Sequence, residues 1–260
     1  QRGVQLLEDY DSFALFKVDS SLLGATSMHV QVEDDADVLQ FSAQPFDTQR
    51  GTLKAEEPFS LREPADAGLQ VVQFIGPVKQ KWLDALSRRG IRPVRYIASN
   101  GYIVWTDAPA QLELAKLRTT EPWLQYSGPL HAFWKVDPAI ASRLAAAPAS
   151  NEEIDVIVQV YSHDHVDTTK RFVTGKGIVP VKQRGPLGKG VIDADWSPIK
   201  SFESLKLRVR LSDVVAITER ADVTFVESRV EPRLYDEKQA LILSGDLTPG
   251  PASPSYLQFL

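Results

Sequence analysis

Four short stretches carry the residue types that do chemistry. Gly24-Ala-Thr-Ser27-Met28 sets a serine among small residues, the setting of a serine nucleophile. Such a serine needs a base and an acid that orients the base. No Asp-Thr-Gly and no His-Gly-Thr occurs in the chain, so Ser27 reads as the end of a helix. His163-Asp164-His165 offers two imidazoles, but side chains two apart diverge on a helix and face opposite ways on a strand. They read as the turn that starts a helix, with Asp164 as its N-cap. His131 lies among aromatics and reads as packing. Gly185-Pro-Leu-Gly188-Lys189-Gly190 follows a strand but lacks both the phosphate-loop spacing and its Ser or Thr. Trp196, beside Asp193 and Asp195, reads as an exposed residue of an insertion. No nucleophile finds a base and no ligand set closes, so the chain is expected to be no enzyme, with no metal and no cofactor.

The elements that would position these residues form a pattern that occurs twice. Residues 69–131 read strand, helix, strand, strand, helix, strand, and residues 154–232 read the same. The copies open with Leu69-Gln-Val-Val-Gln-Phe-Ile75 and Ile154-Asp-Val-Ile-Val-Gln-Val-Tyr161. In the first, Pro77 suits a helix start, Val78, Trp82, Leu83 and Leu86 share one helical face, and Gly90 ends it. Asn100-Gly101 signals a tight turn between strands 91–97 and 102–105. Leu112, Leu114 and Leu117 belong to the second helix, and Trp123–Tyr126 to the last strand. The aromatic run His131-Ala-Phe-Trp134 and a linker, 145–150, follow. In the second copy, a helix over Val166–Thr174 ends at Gly175, and Ile178–Lys182 forms the next strand. An insertion rich in Gly, Pro and Asp spans 184–204. Leu205-Lys-Leu-Arg-Val-Arg-Leu211 alternates, with one face buried and one basic. Ser212 is the N-cap candidate for 213–220, and Val223–Val226 closes the unit.

Residues 1–48 read as half a module: a hairpin from Val4–Leu7 and Phe13–Phe16, a short helix from Asp19, and a strand at His29–Val32. Residues 47–68 are polar and read as a linker. The fold class is therefore α+β, tandem ferredoxin-like βαββαβ modules with antiparallel sheets, the first module partial. The expected division is 1–66, 67–150, 151–235 and a C-terminal extension 236–260.

The chain has 260 residues with 43% hydrophobic content, enough for two or three small cores. Net charge is -5 with both signs interspersed, so no nucleic-acid footprint is expected. No apolar run approaches the ~20 residues that cross a bilayer, and no membrane partner is expected. The absence of cysteine excludes disulfides and Cys-bound metals.

Several stretches together resemble the N-terminal propeptide of secreted bacterial subtilisin-like serine proteases. They are Leu69–Pro77 with Trp82, Tyr96-Ile-Ala-Ser-Asn-Gly-Tyr-Ile-Val104, Trp123–His131 with Lys135, Val226-Glu-Ser-Arg-Val-Glu-Pro232 with Asp236-Glu237, and the early Asp9–Leu15. The likeness is diffuse and lies in order and spacing. It implies a pro-domain that assists folding of a protease domain and then inhibits it, secreted or periplasmic, with that protease as partner. It implies that the catalytic Asp, His and Ser lie beyond residue 260. It implies a C-terminal segment bound substrate-like in the cleft, as an added strand: Leu260 in the pocket before the cleaved bond, Leu257 three residues back, with Tyr256, Gln258 and Phe259 alongside. If residues 236–260 instead belong to the mature enzyme, that role moves to Val230–Leu234. Asp193, Asp195 and Glu203 are the carboxylates placed to cap protease helices. The alternative reading is a stand-alone tandem module that binds a small ligand or a protein.

Overall fold

Seven consecutive buried residues, Gly68–Phe74, make β5, one of the two inner strands of a four-stranded antiparallel sheet. The computed structural model describes residues 3–19, 21–22, 31–32, 34–61, 67–180 and 197–229. The elements of the first full module are β5, α1 (Gln80–Ser87), β6 (Arg92–Ile97), β7 (Gly101–Thr106), α2 (Ala108–Thr120) and β8 (Leu124–Pro129). The strand order is β6-β7-β5-β8. The second module follows with β9 (Glu153–Tyr161), α4 (Val166–Lys176), β10 (Val179–Pro180), β12 (Phe202–Arg210), α5 (Asp213–Thr218) and β13 (Val223–Ser228). Its order is β10-β12-β9-β13, the same arrangement, with β11 (Ser197–Ile199) paired to β12. The chain is α+β, with antiparallel sheets in the ferredoxin-like pattern.

Local details explain the boundaries. The helix expected from Pro77 starts at Gln80, after Lys79 in extended backbone (φ -90, ψ 139), and the Pro77 carbonyl accepts from the Tyr10 hydroxyl at 2.9 Å. Asp107 caps α2 by accepting from the Ala110 amide at 3.0 Å, with Pro109 in the first turn. Leu114 and Leu117 are buried on α2, but Leu112 is 66% exposed, so it is not a core position. The tight turn uses Ser99 (φ 64) and Asn100 (φ 60), and Gly101 opens β7. A Cβ on Gly101 would stand 2.5 Å from Leu39 Cδ2, so close packing requires glycine there. Gly175 lies inside α4, which Gly177 caps. Residues 202–204, expected in the insertion, extend β12, because β11 turns back onto them. Residues 145–146, expected in a linker, end α3 (Pro138–Ala146).

The partial unit at the N-terminus appears, among the described residues, as two two-stranded sheets. One pairs β1 (Val4–Asp9) with β2 (Ala14–Val18), and the other pairs β3 (Val38–Leu39) with β4 (Phe46–Asp47). The helix expected from Asp19 and the strand at 29–32 lie largely outside the described residues. The first hairpin docks beside α1: Lys79 binds Glu8 at 2.7 Å and lies 4.3 Å above the Tyr10 ring. The hydrogen bond from Lys79 holds the Glu8 carboxyl below its usual range, and burial pushes Tyr10 up to about 12.

Residues 38–59 cover the face of the first sheet opposite α1 and α2. Leu39, Phe46 and Phe59 are buried there with Val71 and Ile103. Buried Gln73 secures the segment: its amide donates to the Ala36 and Ser99 carbonyls, both at 2.9 Å, and its carbonyl accepts from Thr48 and Gln125. Gln125 also donates to Asp37 at 2.7 Å. The other face buries Val72, Phe74, Val104 and Leu124 against Trp82, Leu86, Leu114 and Leu117.

The two modules belong to one body, Gln1–Ser228; of the remaining unit, Arg229–Leu260, only Arg229 is described. The aromatic run becomes a single 3-10 turn, Ala132–Lys135. After it, Val136 bridges Val226 in parallel, and the Asp137 amide donates to the Val226 carbonyl at 2.9 Å. The Leu69 amide donates to the Ala221 carbonyl at 3.0 Å. One continuous apolar cluster thereby includes Leu69 and Trp105 of the first module and Val158 and Leu205 of the second.

Candidate functional site

The second sheet has two unlike faces. Strand periodicity turns Val156, Val158 and Val160 of β9 and Leu205, Leu207 and Val209 of β12 inward, where all are buried. The opposite face carries Asp155, Ile157, Lys206, Arg208 and Glu227. Arg208 sits across from Asp155 and binds it with two bonds, 2.7 and 3.1 Å. Glu227 lies across from Ile157 and is exposed, with no ion pair among the described residues. The alternation of 205–211 into one buried and one basic face is what β12 displays.

A buried polar cluster lies where the modules meet. Lys135 is 3% exposed, and its ammonium donates to the Arg220 carbonyl at 2.8 Å. Burial lowers its pKa to about 7, against the attraction of Asp222. One carboxylate oxygen of Asp222 lies 3.0 Å from His163 Nε2, and the other is buried without a hydrogen-bond partner. The His163 ring stacks on Trp105 of the first module, with centroids 4.2 Å apart. His131, in the adjoining turn, stacks on Phe133 and has its pKa lowered to about 4, by burial first and by Lys135 second. His163 and His131 were singled out in the sequence, as a helix-start turn and as packing, and Lys135 only within the resemblance; Asp222 gave no signal.

Between the modules is a cleft of 240 Å³. Phe41, Ile103, Leu130 and Trp134 line it from the first module and its covering segment, and Phe225 from the second. Among the described residues that line it, Arg95 is the one charged residue. Sequence reasoning missed Arg95, since a lone Arg in a strand carries no motif.

The residues singled out from sequence fall in different places. His163 and His165 do not converge on a metal, and no group of three potential ligands occurs among the described residues. His165, not Asp164, holds the N-cap position of α4, and it makes no side-chain cap bond. Ser212 precedes α5, also without a side-chain cap bond. Glu203 is engaged within the chain: Lys170 binds it at 2.7 Å and Ser162 at 3.2 Å. That bond raises the Lys170 pKa. Ser27, Gly185–Gly190, Asp193, Asp195, Trp196, Val230–Leu234 and Tyr256–Leu260 lie outside the described residues.

A family described as "Domain of unknown function (DUF8729)" matches residues 34–131. The matched stretch joins the covering segment to the first full module, the same pieces that Gln73 ties together. No curated protein and no solved structure matches the chain. No helix among the described residues is long and apolar enough to cross a membrane.

Proposed function

We infer that this chain is the pro-domain of a subtilisin-like serine protease, a folding template and inhibitor of the protease domain. The observation that carries the reading is the unequal treatment of two like sheets. The first sheet's face opposite its helices is covered by the chain's own residues 38–59 and by the second module, apart from the cleft beside Arg95. The second sheet's corresponding face presents Ile157, Lys206, Arg208 and the exposed carboxylate of Glu227. A flat face of mixed apolar and charged groups suits packing on partner helices, where Glu227 would meet the positive N-terminal end of a helix. The second module then docks, and the following residues, Tyr256–Leu260 or Val230–Leu234, reach the substrate cleft as an added strand. Such a template speeds folding by stabilising an intermediate that otherwise forms slowly.

The test is inhibition of a subtilisin-like protease by the purified chain, by Glu227→Arg and by a version lacking Tyr256–Leu260. The reading expects tight inhibition that the reversed charge weakens about three- to thirtyfold, since a carboxylate at a helix N-terminus contributes about 0.3–1 kcal/mol and the reversed charge turns it into a repulsion of similar size. Loss on truncation places the tail in the cleft, and retention moves the cleft contact upstream. Digestion of the intact chain without inhibition overturns the reading.

A further inference from the structure

The cleft between the modules is one-sided in charge: Arg95 stands among neutral residues, the polar Gln40, Ser42, Tyr96 and Thr224 and the apolar Phe41, Ile103 and Leu130. Its 240 Å³ corresponds to about eight waters, room for a fragment-sized ligand. One wall is flat: Phe41 stacks on Trp134 with centroids 4.1 Å apart and planes 9° apart. Strand pairing sets Arg95 opposite Ile103, on the sheet face that lines the cleft. No Asp or Glu lines it, and Arg95 has no hydrogen-bond or ion-pair partner among the described residues. Arg95 is exposed, and partial desolvation by neighbouring atoms lowers the pKa of its guanidinium.

A cation without a partner, set beside apolar side chains, is the complement of a carboxylate carried on an apolar body. We propose that this cleft binds a carboxylate with an aromatic or branched apolar body. Arg95 takes the carboxylate through charge-assisted hydrogen bonds, and the body lies along the Phe41–Trp134 wall. The carboxylate belongs either to a free organic acid or to the C-terminus of a peptide; the chemistry is shared. The site rests on the cleft alone and is independent of the pro-domain reading.

Calorimetric titration tests it, with 3-phenylpropionate, 3-phenylpropionamide, and acetyl-Ala-Ala-Phe with free and amidated C-termini. The proteins are the intact chain and Arg95→Gln, an exposed position, with the melting temperature of each measured to show that both fold. The expected result is saturable binding of an acid, at least about tenfold weaker binding of its amide, and a similar loss with R95Q. Binding of the free acid identifies a small-molecule site. Binding of the peptide acid alone identifies a chain terminus as the ligand, and the proposal stands. Equal binding of acid and amide, no effect of R95Q, or no saturation by either acid overturns it.

Discussion

Replacing Lys135 by Met gives a result whose size follows from one buried ammonium. In the fold Lys135 loses its proton near pH 7, because burial disfavours the charge more than Asp222 favours it. In the unfolded chain a lysine holds its proton to about pH 10.4. Between these values the unfolded state binds more protons, so folding stability rises with pH. The slope for one proton is about 1.4 kcal/mol per pH unit, flat below pH 7 and above about pH 10.4. The absolute effect of Lys135→Met at one pH is ambiguous. Relief of a buried ammonium opposes the loss of its hydrogen bond to the Arg220 carbonyl, about 1–3 kcal/mol for a buried acceptor left unpaired. The difference in slope is free of that ambiguity and cancels every other titrating group. Urea unfolding of both proteins at pH 7.5, 8.5 and 9.5 measures it. The parent should gain about 1.4 kcal/mol over K135M for each unit. Tyr10, raised to about 12, opposes stability only as pH climbs past about 10, outside this range. Asp222→Asn, which removes the attraction, should start the rise at lower pH. Parallel pH profiles for the parent and K135M would refute the argument.

Two further outcomes follow from buried polar groups. His131 is neutral in the fold down to about pH 4, whereas the unfolded residue takes a proton near pH 6.5, so stability should fall on acidification through that window. His131→Phe should flatten the loss by about 1.4 kcal/mol per unit, read from melts at pH 4.5, 5.5 and 6.5; an unchanged slope contradicts the burial argument. Gln73→Leu should cost about 1–3 kcal/mol for each carbonyl it leaves unpaired, at Ala36 and Ser99. It should also speed amide exchange in residues 34–48 more than in β9; equal exchange would mean that Gln73 does not hold the covering segment.

The repeat was legible in sequence because its signals are local. Strand-length apolar runs at Leu69 and Ile154, a turn at Asn100 and alternation over 205–211 each follow from short-range patterning. The covering segment was not legible. Leu39, Phe41, Phe46 and Phe59 are spread through polar sequence, and strands of two residues are too short to show a period. Their burial depends on a sheet face that forms elsewhere, as does the use of Gln73, whose partners come from three other stretches. The junction cluster was hidden for the same reason: Lys135, Asp222, His163 and Trp105 are brought together only when Val136 joins the second sheet beside β13. Two copies of one module thus diverge through what each is given to cover it. The first closes on its own chain, and the described residues leave the second sheet's corresponding face presenting Ile157, Lys206 and Glu227. Releasing residues 34–48 by Gln73→Leu is therefore expected to expose the first sheet while leaving the second module's face as it is. If the second module is the one that docks on a protease, inhibition should survive in Q73L and fail in Glu227→Arg.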